Sequence, residues 1–273
     1  MKNASIGIFD SGLGGLTVMR AIKDLLPDEN IVYFGDTLHL PYGNKSEQTI
    51  LRYSLENVQF LQNLGIKLLI IACHTVSTTA YQTIKKASSI PILEMVEPSI
   101  DLLKRYCQEK KNSPQITILG TKRTIDSNVY QTRLLSNIPF ANIKAISCPL
   151  FVPLVEEGYI QHPIAKTIIQ EQLKEMNGVD FALLACTHYP LLQSQIQETL
   201  GPSTILIDPA IACAQAAFDF LKKEDLLNPS GKKGEYAFYV SDHPEKFRLM
   251  GEEFLNCPVE PIFSTKIPSA LSV

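Results

Sequence analysis

Asn177-Gly178-Val179-Asp180, running into Phe181-Ala182-Leu183-Leu184-Ala185-Cys186-Thr187-His188, restates an earlier stretch of the chain. That stretch is Asn63-Leu64-Gly65-Ile66-Lys67, running into Leu68-Leu69-Ile70-Ile71-Ala72-Cys73-His74-Thr75. In both, a glycine closes a helix-like segment and an apolar run of strand length follows. The run ends in Cys, with a Thr and a His in the next two positions. Gly65 to Gly178 and Cys73 to Cys186 each span 113 residues. Further landmarks follow at nearly the same offset. Ile6-Gly7-Ile8-Phe9-Asp10-Ser11 matches Ile116-Thr117-Ile118-Leu119-Gly120-Thr121, and Val96-Glu97-Pro98-Ser99-Ile100 matches Ile207-Asp208-Pro209-Ala210-Ile211. Gly43 to Gly65 and Gly158 to Gly178 bracket stretches with helical patterning. Four landmarks in one order read as a gene duplication.

Around this repeat, short apolar or β-branched runs alternate with helical ones. The strand candidates are Ser5 to Phe9, Ile31 to Phe34, Leu68 to Ile71, Ile116 to Leu119, Ile143 to Ile146, Phe181 to Leu184, Thr204 to Ile207 and Tyr236 to Val240. Leu51, Leu55, Val58 and Leu61 share a helix face, with Asn44 and Glu47 as a capping box. This alternation predicts an α/β fold with mainly parallel sheets flanked by helices. Lys110 to Pro114 sits where the second repeat begins, with a linker there or nearer Pro98. Lys222 to Glu235 reads as an exposed loop before a last strand and a helix over Pro244 to Leu255.

The 273 residues are 45% apolar, enough for one large domain or two smaller ones. A net charge of −3 gives no footprint for nucleic acid or an anionic membrane. No signal-like segment or membrane-length apolar run occurs, so a cytoplasmic location is expected. In that reducing compartment Cys73, Cys107, Cys148, Cys186, Cys213 and Cys257 are not expected to form a disulfide framework.

Ligands of open α/β sheets collect at the carboxyl ends of the strands. Asp10, Ser11, Cys73, Thr75, Gly120, Thr121, Cys186, Thr187 and His188 all lie just past such ends. Two facing repeats therefore present two cysteines across one cleft. The other four cysteines lack this pairing and read as structural. Asp10-Ser11-Gly12-Leu13-Gly14-Gly15 is a Gly-rich turn able to offer N–H groups to a carboxylate or phosphate. It lacks both the dinucleotide spacing and the P-loop Lys, so neither a nicotinamide nor a nucleoside triphosphate site is expected.

These residues resemble the glutamate racemases of the cofactor-independent aspartate/glutamate racemase superfamily. The motifs are Asp10-Ser11-Gly12 with Gly14-Gly15, Gly35-Asp36, Pro41-Tyr42-Gly43, Ala72-Cys73 with Thr75, Gly120-Thr121 with Thr124, Cys148 through Glu156, and Cys186-Thr187-His188-Tyr189-Pro190-Leu191-Leu192. The resemblance implies interconversion of L- and D-glutamate for peptidoglycan, without metal or cofactor. It implies two pseudo-symmetric α/β domains, 1–98 with 209–273 and 99–208, the active site between them, and a homodimer. Inverting Cα calls for a base on each face. By resemblance these are Cys73, assisted by Asp10, and Cys186, assisted by His188, with Glu156 orienting the imidazole. Ser11, Pro41, Tyr42, Gly43, His74, Thr75, Thr121 and Thr187 are implied as substrate contacts. In three places the chain departs from the family pattern: His74 stands where Asn is usual after the cysteine, Val76 replaces Ala, and Pro209 replaces Ser. His74 is the departure that bears on chemistry. Its open readings are a preserved hydrogen bond, altered selectivity, a cation that stabilises the Cys73 thiolate, or use of its backbone alone. Rival functions are an aspartate racemase, a thiol or metal hydrolase using Cys73-His74 or Cys186 with His188, and a non-catalytic regulator of gyrase.

Overall fold

A computed structural model describes residues 2–108 and 113–265. β1 (Ile6–Asp10), β2 (Ile31–Gly35), β3 (Leu68–Ile71) and β4 (Ile92–Glu94) come from the first repeat. β5 (Gln115–Gly120), β6 (Asn142–Ser147), β7 (Phe181–Ala185) and β8 (Ile205–Ile207) come from the second. β9 (Tyr236–Val240) and β10 (Ile262–Ser264) follow. One sheet runs β10-β9-β2-β1-β3-β4 and the other β6-β5-β7-β8. The order 2-1-3-4 therefore recurs as 6-5-7-8, and every pairing is parallel. Register recurs too: Ile6 lies opposite Leu68, and its repeat mate Ile116 opposite Phe181. The duplication seen in the sequence is thus a duplication of topology, with β9 and β10 added beyond β2.

β1, β3 and β7 are buried along their whole length, as central parallel strands covered by helices on both faces must be. The main core runs from Ile8 and Leu16 in the first lobe to Leu184 and Tyr189 in the second, so the lobes share apolar packing. Smaller cores fill the remaining faces of each sheet. The helix Pro209–Lys223 packs on both the helix Leu16–Leu25 and the helix Val96–Gln108.

Some local readings are corrected. The N-cap of the helix Glu47–Asn63 is Ser46, whose side chain accepts from the Thr49 N–H, and Asn44 instead ends a short 3-10 turn. Asn and Ser are equally good caps, so local sequence could not separate them. Gly65 stands just past this helix with φ +72°, whereas Gly178, at φ +65°, lies in the loop after a helix that already ends at Leu173. Pro98 is no linker. It sits in the first turn of the helix Val96–Gln108, where a missing N–H costs nothing. Lys110 to Asn112 lie outside the described residues. The loop before β9 begins after Lys223.

Candidate active site

The carboxyl ends of β1, β3, β5 and β7 open onto one cavity of about 270 Å³. From the first lobe it is lined by Ser11, the Pro41-Tyr42-Gly43 loop and the Cys73-His74-Thr75 turn. From the second come Thr121, Glu156 and Cys186-Thr187-His188. Of the residues implied from the sequence as catalytic or substrate-contacting, Asp10 is the one not on the wall. It is fully buried behind it. Gly14 makes the close approach of the two repeats possible, since a Cβ there would sit 2.3 Å from Thr187 Oγ1 and 2.5 Å from His188 Nδ1.

On the first side, Cys73 precedes the helix His74–Thr79, and its thiol donates to Ser11 Oγ at 3.4 Å. Burial, then the nearby Asp10 carboxylate, push this thiol up to about 12. Cys73 therefore holds its proton at neutral pH. Asp10 is raised by burial and opposed by His188 and by the N–H groups of the glycine turn; one carboxylate oxygen accepts from Gly12 N at 2.8 Å.

On the second side, Cys186 Sγ lies 3.9 Å from His188 Nδ1, and His188 Nε2 lies 3.0 Å from Glu156 Oε1. Burial disfavours the imidazolium, but the hydrogen bonds to Cys186 and Glu156 outweigh it and lift His188 to about 10. Cys186, a protonated imidazole and the Glu156 side chain thus form a hydrogen-bonded chain. The two walls differ in the group that backs the sulfur, a buried carboxyl at Cys73 and an imidazole at Cys186, although they arise from equivalent parts of the repeat.

Three hydroxyls join the lobes at the cavity edge. Thr75 Oγ1 is 3.0 Å from Thr121 Oγ1, which is 3.0 Å from Thr124 Oγ1. The Thr121 side chain also caps the helix Lys122–Asp126. The Tyr42 hydroxyl, expected as a substrate contact, is instead occupied: it donates to Asp36 Oδ2 at 2.5 Å and accepts from Asn57 Nδ2 at 3.1 Å. Asp36, quoted in the sequence motif without a role, is a buried hub that also meets His39 and Ser241 and shapes the wall loop. Cys148, read as structural, does line the cavity. Its place was legible from the repeat, because Cys148 N donates to Gly120 O as Asp36 N does to Asp10 O.

His74 corrects one reading outright. Its imidazole is buried, which lowers it to about 3, and its Nδ1 lies 2.6 Å from the Tyr130 hydroxyl. It is neutral and is not a cation beside the Cys73 thiolate. Tyr130 lies 56 residues away in the chain, so no local signal pointed to it. Among the described residues no cluster of three or more His, Cys, Asp or Glu side chains could hold a metal ion, which leaves the zinc reading without a ligand set.

Two lobes of one topology each bring a cysteine to a shared cavity, with Asp10 behind one sulfur and His188 beside the other. The chain belongs to the Asp/Glu/Hydantoin racemase family, whose model matches residues 6–217. It is 42% identical over 252 residues to the glutamate racemase of Syntrophus aciditrophicus, covering 92% of each chain. Against the glutamate racemase of Neisseria meningitidis serogroup A it is 40% identical over 264 residues, 96% of each. The crystal structure of Francisella tularensis glutamate racemase in complex with D-glutamate superposes with a TM-score of 0.91 at 33% identity, over 98% of this chain and 100% of that one.

Proposed function

We propose that this racemase interconverts L- and D-glutamate, with Cys73 and Cys186 as the bases on opposite faces of Cα. The observation that carries this reading is the pair of thiols from equivalent strand ends lining one cavity. The relatives' names and the D-glutamate held by the Francisella enzyme support the substrate.

In each turnover one thiolate takes the Cα proton and the opposite thiol gives its own proton to the other face. The two sulfurs exchange protonation states as the substrate inverts. The Cys73 thiol, which holds its proton, suits the giving half of this cycle. His188, held by Glu156, supports proton movement at Cys186, and Asp10 does so at Cys73. Ser11, Thr75, Thr121 and Thr187 offer hydroxyls to the ammonium and carboxylates, and the Pro41 to Gly43 segment offers its backbone. His74 lines the same wall with its ring bonded to Tyr130.

The lobes are assigned as 1–98 with 209–273, and 99–208, a division supported by the grouping of β1 to β4 with β9 and β10 in one sheet and of β5 to β8 in the other. Among the described residues no helix is long and apolar enough to cross a membrane. A cytoplasmic homodimer supplying D-glutamate for peptidoglycan fits the family resemblance. Circular dichroism of L- and D-glutamate with purified protein tests the reading, glutamate signals decaying and aspartate signals persisting. Cys73→Ser and Cys186→Ser should each abolish inversion. Each should still eliminate a leaving group from one enantiomer of a β-substituted glutamate, the two variants choosing opposite enantiomers. A shared preference contradicts opposed thiols.

A further inference from the structure

The residue after each thiol is braced by the opposite lobe. After Cys186, the Thr187 carbonyl accepts from Thr17 Oγ1 of the first lobe at 3.0 Å. After Cys73, the His74 ring meets Tyr130 of the helix Val129–Asn137 in the second lobe. The two rings lie 5.8 Å apart, and His74 is 3% and Tyr130 0% exposed. Both groups are neutral, since burial lowers the imidazole and lifts the phenol well above its usual value. A neutral hydroxyl and a neutral imidazole pair in either tautomer of the ring, so one hydrogen bond joins Tyr130 to His74 Nδ1. A hydrogen bond in so dry a place is electrostatically stronger than one in water and tolerates little displacement. Because Cys73 is the cap residue and His74 the first residue of the helix His74–Thr79, the bond fixes the backbone beside the sulfur.

We propose that Tyr130 is a positioning residue for proton transfer at Cys73, acting through His74 to set how closely the thiol approaches the substrate Cα. The proposal rests on the two-thiol glutamate reading. Small errors of placement are costly in proton transfer, where reacting atoms must meet at about 3–3.5 Å.

Tyr130→Phe removes only the hydroxyl. Its kcat/KM should fall about tenfold, through kcat rather than KM. The fall must be equal for L- and D-glutamate, because their equilibrium constant is one. Isotope effects then locate the lesion. With α-deuterated substrates, slowing the Cys73 step should enlarge the primary effect for the enantiomer whose proton Cys73 removes. For the other enantiomer the effect should shrink, with deuterium washing out of unreacted substrate. A merely structural lesion leaves the ratio of the two effects at its wild-type value, and that result overturns the proposal. His74→Asn supplies a second variant, and His74→Asn/Tyr130→Phe should be no slower than His74→Asn alone. Losses that multiply in the double variant also overturn it. Failure of the wild-type protein to racemise glutamate sinks the underlying reading instead.

Discussion

Glu156 determines how long His188 keeps its proton. The imidazole is buried and would shed its charge early, but Cys186 on one nitrogen and Glu156 on the other hold it to about 10. Glu156→Gln removes one of these supports. The imidazolium should then deprotonate at lower pH, shifting the alkaline limb of kcat/KM downward by about one unit or more, equally for both enantiomers. Initial rates between pH 6.5 and 10 measure it, and an unmoved limb contradicts the relay. Tyr42 makes a different case. Tyr42→Phe takes a donor from the buried Asp36 carboxylate and should cost about 1–3 kcal/mol in urea unfolding. It should also raise KM for glutamate by loosening the wall loop while kcat changes less. A hydroxyl that contacted the reacting centre would instead lower kcat with stability intact.

Elements were legible where they are long and patterned, and obscure where a distant partner decides. β1, β3 and β7 could be read because an all-buried parallel strand is an apolar run, β5 because it is buried past its first residue, and the repeat doubled each signal. β4 and β10, three residues each, were not singled out although β8 is as short and was, and both form where a neighbouring strand offers its edge. The catalytic candidates were legible for the same reason as the strands that end in them. The direction of the His74 ring and the use of the Tyr42 hydroxyl were not, since Tyr130 and Asn57 reach them only through the fold. Gly65 and Gly178 have positive φ and open space where a Cβ would project, so alanine meets backbone strain and no clash. Gly65→Ala and Gly178→Ala should each destabilise by about 1–2 kcal/mol, add in the double variant, and leave kcat within about twofold. Urea unfolding checks this, and a far larger loss at either site would point to a collision instead.

At the scale of the whole molecule, the two lobes are joined by buried polar groups that titrate, so stability must depend on pH. Glu94 ends β4, and its carboxylate oxygens accept from Val96 N and Glu97 N at the start of the helix Val96–Gln108. Burial raises its carboxyl to about 7 from 4.5, the backbone N–H groups opposing only in part. Between those pH values the folded protein binds more protons than the unfolded chain. The stabilising contribution is therefore complete below pH 4.5 and is lost as pH rises through about 7. Its full extent is on the order of 3 kcal/mol. Asp10, Asp208 and His188 are also shifted upward, so the wild-type slope is composite and a difference between variants isolates this group. Glu94→Gln keeps an acceptor at the helix start and cannot ionise. Unfolding free energies from urea at pH 5 and pH 7.5 should fall less for Glu94→Gln than for the wild type, making the variant relatively more stable at the higher pH. Parallel slopes for the two proteins would mean that Glu94 ionises as readily in the fold as in the open chain, and its burial at the joint between the lobes would carry no pH dependence.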